Sequence, residues 1–327
     1  MPLRVFLTGG TGYVGSSVLE AAIRAGHQVT AIARDPEKVE ALTARGATGL
    51  LAALDTPKRY MEAVLESEVV MHTALEDSPR GAALDRQFLD QVLPAISETG
   101  SAKIFIYTSG IYVLGPAPEP VDESAPLVPM EISAWRVPHE QLVKDAVTMS
   151  LRTIIVRPGV VYGGRRGIVS DLLKNALNGL VRVIGPGTNH WPCVYDRDLG
   201  ELYVRLAESA EASGVYFAND EADETVNDIV EAVANHLSQR PDVRHVPIEE
   251  ARSKMGPYAD ALALDQKIRS GRARSQGWTP SLQRVGERRP AARGVQERAE
   301  LTGRASALAR LGGRALRARG PRRFAAR

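Results

Sequence analysis

Apolar and polar positions alternate along the first half of the chain on two periods. Apolar runs of strand length fall at 3–8, 28–33, 48–52, 68–72, 103–108 and 152–157. Amphipathic stretches with helical spacing lie between them at 13–25, 36–44, 57–67, 81–98 and 132–148. Pro94 should end or kink the fourth of these helices. The stretch 115–129 carries Pro116, Pro118, Pro120, Pro126 and Pro129, and reads as a loop rather than an element. Such alternation predicts an α/β fold, with helices on both faces of a doubly wound parallel sheet and right-handed crossovers. Beyond Pro158 the pattern loosens. Helices near 168–178, 196–209 and 225–237, with a strand at 214–218, predict a smaller C-terminal lobe.

Composition narrows the class. A hydrophobic fraction of 44% over 327 residues is enough for a substantial core and too high for disorder. The lone Cys193 excludes a disulfide framework or a cysteine-based zinc site, and suits a reducing cytoplasm. The net charge of +2 hides two opposite parts: residues 281–327 hold 13 Arg, no Lys and 3 Glu, which leaves 28 basic and 36 acidic residues in 1–280. An acidic body argues against a nucleic-acid partner. No apolar stretch reaches the roughly 18 residues of a spanning helix, so no membrane partner is expected. Nor does a targeting segment precede the first strand. The expected location is the cytoplasm, as a monomer or homodimer.

The strongest chemical signal is Thr8-Gly9-Gly10-Thr11-Gly12-Tyr13-Val14-Gly15, between a strand and a helix. Gly9 allows the tight turn, Gly12 lets backbone approach a pyrophosphate, and Gly15 lets helix and strand pack closely. Free amides at the helix start then hold phosphates, helped by the helix dipole. At the end of the second strand stands Arg34, where an arginine favours the 2′-phosphate of NADP(H) over NAD(H). Asp35, one residue on and before Pro36, reads as a helix cap. The organisation is therefore a Rossmann-type dinucleotide-binding core at 1–160, a substrate lobe at 161–280 interleaved with it, and a tail at 281–327.

These residues resemble the extended short-chain dehydrogenase/reductase family, which includes NAD-dependent sugar epimerases and dehydratases. The resemblance runs from about Leu3 to Pro280. Besides the glycine turn it includes Val69-Val70-Met71-His72-Thr73-Ala74, Ile106-Tyr107-Thr108-Ser109 and Arg157-Pro158-Gly159-Val160-Val161-Tyr162-Gly163. Further along it includes Trp191-Pro192-Cys193-Val194-Tyr195-Asp196-Arg197-Asp198-Leu199, Asp265-Gln266-Lys267-Ile268 and Gly277-Trp278-Thr279-Pro280. The resemblance implies that Thr73 and Ala74 lie against the adenosine ribose, with Asp55 near the adenine. It places Thr108 and Ser109 beside the nicotinamide, and Pro158, Gly159 and Val161 on its ribose and carboxamide. It also turns Tyr162, His190 and Tyr195 toward the substrate cleft.

The chain departs from that family at its Tyr-x-x-x-Lys dyad. The matching stretch places Trp135 at the tyrosine position and His139 at the lysine position, and none of the nine tyrosines is followed by lysine four residues later. An indole N–H donates a hydrogen bond but is no acid near neutral pH, so Trp135 walls the pocket or orients a carbonyl. His139 either takes a proton role or holds the cofactor ribose in place of lysine. Tyr112 is either the replacement phenol or a loop-packing residue. Arg136 is either a substrate anion clamp or a surface charge. No His/Asp/Glu spacing suggests a metal; His72, His236 and His245 read as packing or surface residues. No nucleophile elbow is present, which disfavours a hydrolase.

Three readings fit the arginine-, alanine- and glycine-rich tail: an electrostatic arm, disorder, or out-of-frame translation of a GC-rich gene. The functional expectation is an NADP(H)-binding oxidoreductase acting on a carbonyl or activated C=C of a small metabolite. The alternatives are a redox-neutral isomerase, epimerase or cyclase, or a nucleotide-binding protein without turnover.

Overall fold

The computed structural model describes residues 1–164 and 166–287. The amino-terminal part alternates β1 (Arg4–Thr8), α1 (Tyr13–Arg24), β2 (Gln28–Ala33), α2 (Pro36–Ala44), β3 (Thr48–Leu51), α3 (Met61–Glu66), β4 (Val69–His72), α4 (Gly81–Ser97) and β5 (Lys103–Thr108). There follow β6 (Ala117–Val121), α5 (Arg136–Asp145), β7 (Leu151–Pro158), β8 (Val160–Tyr162), α6 (Ile168–Leu177), β9 (Leu180–Ile184) and β10 (Cys193–Tyr195). The remainder is α7 (Asp196–Glu208), β11 (Gly214–Ala218), α8 (Val226–Ala234), β12 (Asp242–Val246), α9 (Ile248–Met255), α10 (Tyr258–Leu262), β13 (Gln266–Ile268) and α11 (Gly271–Ser275).

Seven strands form one sheet in the order β11-β7-β5-β4-β1-β2-β3. Every neighbouring pair in it is parallel. This is the expected Rossmann-type sheet. The order reverses between β1 and β4, and the carboxyl ends of those strands open the crevice in which such sheets bind ligands.

Period-two alternation sends successive side chains to opposite faces. Val5, Leu7, Val69, Met71 and Ile106 pack under α1 and α7. Phe6, Val70, Phe105 and Tyr107 pack under α3, α4 and α5. A separate cluster joins Trp191, Leu172, Val183 and Val230 in the carboxyl-terminal part.

Three expectations need correction. The proline-rich stretch contains a strand, because β6 pairs in parallel with β13, about 150 residues later in the chain. Pro94 does not stop α4, which runs on to Ser97. It sits in the last turn, where one lost backbone bond is tolerated. The fold also continues past Pro280. Leu282 and Val285 are buried in the carboxyl-terminal cluster, and Ser281 donates both its amide and its hydroxyl to Asp198. Residues 1–287 form one compact unit. The rest of the expected tail, 288–327, lies outside the described residues. No helix among the described residues is long and apolar enough to cross a membrane.

Candidate active site

The turn between β1 and α1 is built by what its glycines lack. Gly9 has φ +75°, and a Cβ there would stand 2.7 Å from the Ala74 amide nitrogen. A Cβ on Gly15 would stand 2.1 Å from the Gly9 carbonyl and 2.4 Å from Thr73 Oγ1. The two strand ends at the switch point therefore touch through bare backbone. Helix α1 begins after Gly12 with no side-chain cap and no acidic residue in its first turn. Its leading N–H groups and the positive end of its dipole stay open to an anion.

A cavity of about 410 Å³ lies against this turn. Gly9, Thr11, Gly12, Tyr13, Val14, Arg34, Asp55, Thr73 and Ala74 line it together. Gly15 lies behind it as the packing residue. The basic lining residues Arg34, Lys38, Arg80 and Arg166 outnumber the acidic Asp55 and Glu76. Arg34 Nη1 donates to Glu76 Oε2 at 2.6 Å. Hydrogen bonds from Arg80 and then Ser78 hold Glu76 at about 2. Asp35 stands at the helix cap position, but its side chain pairs with Lys38 at 2.8 Å and makes no cap bond. The Tyr13 hydroxyl donates to the Gly163 carbonyl at 2.8 Å, so its phenol ties the turn to the carboxyl-terminal part.

The residues expected at the nicotinamide end lie beyond this cavity. The Thr108 side chain faces α7, with Oγ1 2.6 Å from the Tyr203 hydroxyl. Its carbonyl accepts from Arg136 Nη1 at 3.0 Å, and Arg136 stacks over the Trp135 ring at 4.4 Å. Arg136 is thus engaged locally and is no bare surface charge. Ser109 Oγ and the Tyr112 hydroxyl are buried and have no hydrogen-bond partner. Buried polar groups are nearly always paired, and these two hydroxyls, three residues apart, are among the exceptions. Burial raises the Tyr112 phenol well above its ordinary value, which keeps it protonated.

His139 does not line the cavity. It is buried beside Trp135, with ring centroids 5.1 Å apart, and its Nδ1 lies 2.7 Å from Asp85 Oδ2. The same carboxylate meets His72 Nε2 at 3.0 Å and accepts from the Tyr107 hydroxyl at 2.8 Å. Burial by itself would raise Asp85; hydrogen bonds from His139 and His72 outweigh it and hold the carboxyl well below the usual range. Neither Asp85 nor His72 stood among the expected site residues, and His72 is a network member rather than plain packing. One signal was there: Thr8, His72 and Tyr107 follow Phe6, Val70 and Phe105 on the same alternate positions of three adjacent strands. Next to this network, Arg157 Nε donates to Glu140 Oε1 at 2.9 Å in a fully buried ion pair.

Pro158, Gly159 and Val161 are held by backbone contacts. The Gly159 amide donates to Ala218, a Cβ on Gly159 would lie 1.9 Å from the Pro192 carbonyl, and the Val161 carbonyl accepts from Tyr13. Tyr162 is a core residue whose hydroxyl reaches the Arg284 carbonyl; it packs on Tyr195 at 5.7 Å. His190 Nδ1 sits 2.7 Å from Asp265. None of these three, nor Arg136, lines a further cavity of about 510 Å³. That cavity has an apolar wall of Leu172, Val183, Trp191, Val226 and Met255, with Arg182, Arg244 and Lys254 among its polar residues. It was illegible because its wall gathers residues of α6, β9, α8, α9 and the loop before β10, which lie far apart along the chain.

Comparison with known proteins then decides the kinship. The model of the NAD dependent epimerase/dehydratase family matches residues 5–217. The chain belongs to that family. A 4-hydroxy-2-methyl-3-oxo-4-farnesyl-3,4-dihydroquinoline-1-oxide ketoreductase of Stigmatella aurantiaca is 25% identical, over 77% of this chain and 78% of its own. Human epimerase family protein SDR39U1 (isoform 2), solved with NADPH, superposes with a TM-score of 0.71 at 19% identity, covering 87% of this chain and 97% of that one. The UDP-glucose 4-epimerase of Thermus thermophilus, solved with NAD, gives 0.71 at 20% identity, over 86% and 94%. In this member of the epimerase/dehydratase family, Trp135 stands at the start of α5 and His139 in its first turn.

Proposed function

We propose that the protein is an NADP(H)-dependent oxidoreductase that reduces a carbonyl, or an activated C=C, of a small metabolite. The observation that carries this reading is the uncapped glycine turn opening on a cavity edged by Arg34, Lys38 and Arg80. A dinucleotide fits there: the glycines leave room for pyrophosphate, the α1 amides face it, and Arg34 and Lys38 suit a 2′-phosphate. When bound, the nicotinamide would supply the hydride.

The chain's own groups then have separate tasks. Ser109 and Tyr112 donate hydrogen bonds to the oxygen of the acceptor. A phenol kept protonated by its surroundings can still yield its proton to a more basic alkoxide. Trp135 and the Arg136 stacked on it wall the site. The apolar cavity around Trp191 takes the body of the substrate, in keeping with a ketoreductase among the relatives. A redox-neutral isomerase or epimerase is the second reading, favoured by the family's name.

Following NADPH oxidation against a panel of apolar ketones and enones tests the reading. Consumption with at least one of them is expected, with a Tyr112→Phe variant slowed by about 100-fold, the range usual for loss of a proton donor. NADPH binding without consumption across the panel would favour the second reading.

A further inference from the structure

Four residues lining the glycine-turn cavity form a row of alternating charge: Asp55, Arg80, Glu76 and Arg34. Arg80 Nη1 stands 3.8 Å from Asp55 Oδ2. The same guanidinium donates from Nε to Glu76 Oε1 at 2.8 Å and from Nη2 to Glu76 Oε2 at 3.3 Å. The Ser78 hydroxyl donates to Oε1 at 2.7 Å, and Arg34 Nη1 gives its hydrogen to Oε2. Four hydrogen bonds thus converge on one carboxylate. The Glu76 side chain is 17% exposed, whereas that of Arg34 is 57% exposed. The Glu76 backbone is fixed as well. The Ser78 amide donates to its carbonyl at 2.9 Å, and α4 starts so close that a Cβ on Gly81 would stand 2.1 Å from that oxygen. A cavity read as holding a multiply charged phosphate ligand therefore carries a negative charge in its own wall, on the arginine that a 2′-phosphate needs.

We propose that Glu76 sets how far the cavity discriminates between the two dinucleotides, by holding with its carboxylate the guanidinium that a 2′-phosphate would take. The proposal rests on the reading of this cavity as an NADP(H) site. A 2′-phosphate arriving at Arg34 finds Nη1 already given, with a fixed negative charge one guanidinium's width away. Like charges at that separation repel, and the penalty falls on the phosphorylated cofactor. NADH brings a neutral hydroxyl to the same place and feels the carboxylate far less. Arg34 thus favours the phosphorylated form and Glu76 tempers that preference. The affinity for NADPH is held below what the cations alone would give.

Calorimetric titration of the full chain and its Glu76→Gln variant with NADPH and with NADH tests it. Glutamine keeps an oxygen for Ser78 and Arg80 and removes the charge. NADPH is expected to bind the variant about fivefold tighter, the range of one exposed charge interaction, with NADH changed by less than about twofold. The gain should shrink between about 0.05 M and about 0.5 M salt, as ions screen the carboxylate. It should largely vanish when the same substitution is made in an Arg34→Ala background. Glu76→Ala should change NADPH binding in the same direction, which keeps the test open if Glu76→Gln folds poorly. An NADPH affinity unchanged or lowered in these variants would overturn the proposal. So would an equal gain without Arg34, a gain indifferent to salt, or a loss of NADH binding, which would make Glu76 a ribose ligand instead. If the unmodified chain binds neither nucleotide, or Arg34→Ala leaves the NADPH-to-NADH ratio unchanged, the NADP(H) reading itself fails and takes the proposal with it. Discrimination that is intact but indifferent to Glu76 removes the proposal alone.

Discussion

Asp85 and Asp220 are both buried, at 2% and 5% exposure, yet their carboxyls are pushed in opposite directions. Asp85 is ringed by two imidazoles and a phenol and stays ionised. Asp220, two residues past β11, accepts one amide from Ala222, and its Oδ2 has no partner. Burial pushes it up to about 8, with Glu224 adding to the effect. The charged form survives burial only where donors replace the lost water. The difference separates a carboxylate built to organise its neighbours from one that stays neutral over much of the usual pH range.

Removing the organiser should have the largest effect. Asp85→Ala leaves the N–H groups of His72 and His139 and the Tyr107 hydroxyl buried without an acceptor. A loss of about 4 kcal/mol is expected, from roughly 1–3 kcal/mol per orphaned group, read as a lower urea midpoint. An effect under about 1 kcal/mol would show the network to be loosely held.

The pH dependence of stability is the next test, and the two aspartates contribute to it with opposite sign. Asp85 has a depressed folded value, so its contribution is present above the unfolded value near 3.8 and is lost as pH falls below it. Asp220 has a raised folded value, so the folded state binds the extra proton and stability falls as pH rises from about 4 through about 8. The slope from Asp220 is expected to be about 1 kcal/mol per pH unit over that window. Asp220→Asn should flatten it and leave the acid limb in place. An unchanged slope would put Asp220 in a wetter setting than its burial indicates.

Gly15→Ala probes the glycine turn, where the tight contacts are backbone to backbone. The added methyl must displace the Gly9 carbonyl, which should cost about 1–3 kcal/mol and weaken NADPH binding more than it weakens the fold. A substitution that lowers stability but leaves the affinity intact would separate this turn from the cofactor.

These contrasts also explain what could be read from sequence. The glycine turn was legible because its chemistry belongs to eight consecutive residues, Thr8 to Gly15, and to side chains that are missing. The alternating strands were legible because period two is local. The Asp85 network was not, since its members stand at 8, 72, 85, 107 and 139 and meet only when β1, β4 and β5 are in register under α4 and α5. His139 illustrates both sides: its place on the helix after β5 could be seen, but its bond to Asp85 could not. Strand β6 escaped notice because its partner lies near the end of the described chain and its own residues are largely proline-spaced.

On the proposed reading, the cavity at the glycine turn binds a dinucleotide and prefers the phosphorylated form. Calorimetric titration of the full chain with NADPH and NADH, alongside an Arg34→Ala variant, tests it most directly. NADPH is expected to bind at least about tenfold tighter than NADH, a difference of about 1.4 kcal/mol that disappears in the variant. Binding of neither nucleotide, or tighter binding of NADH, would contradict it.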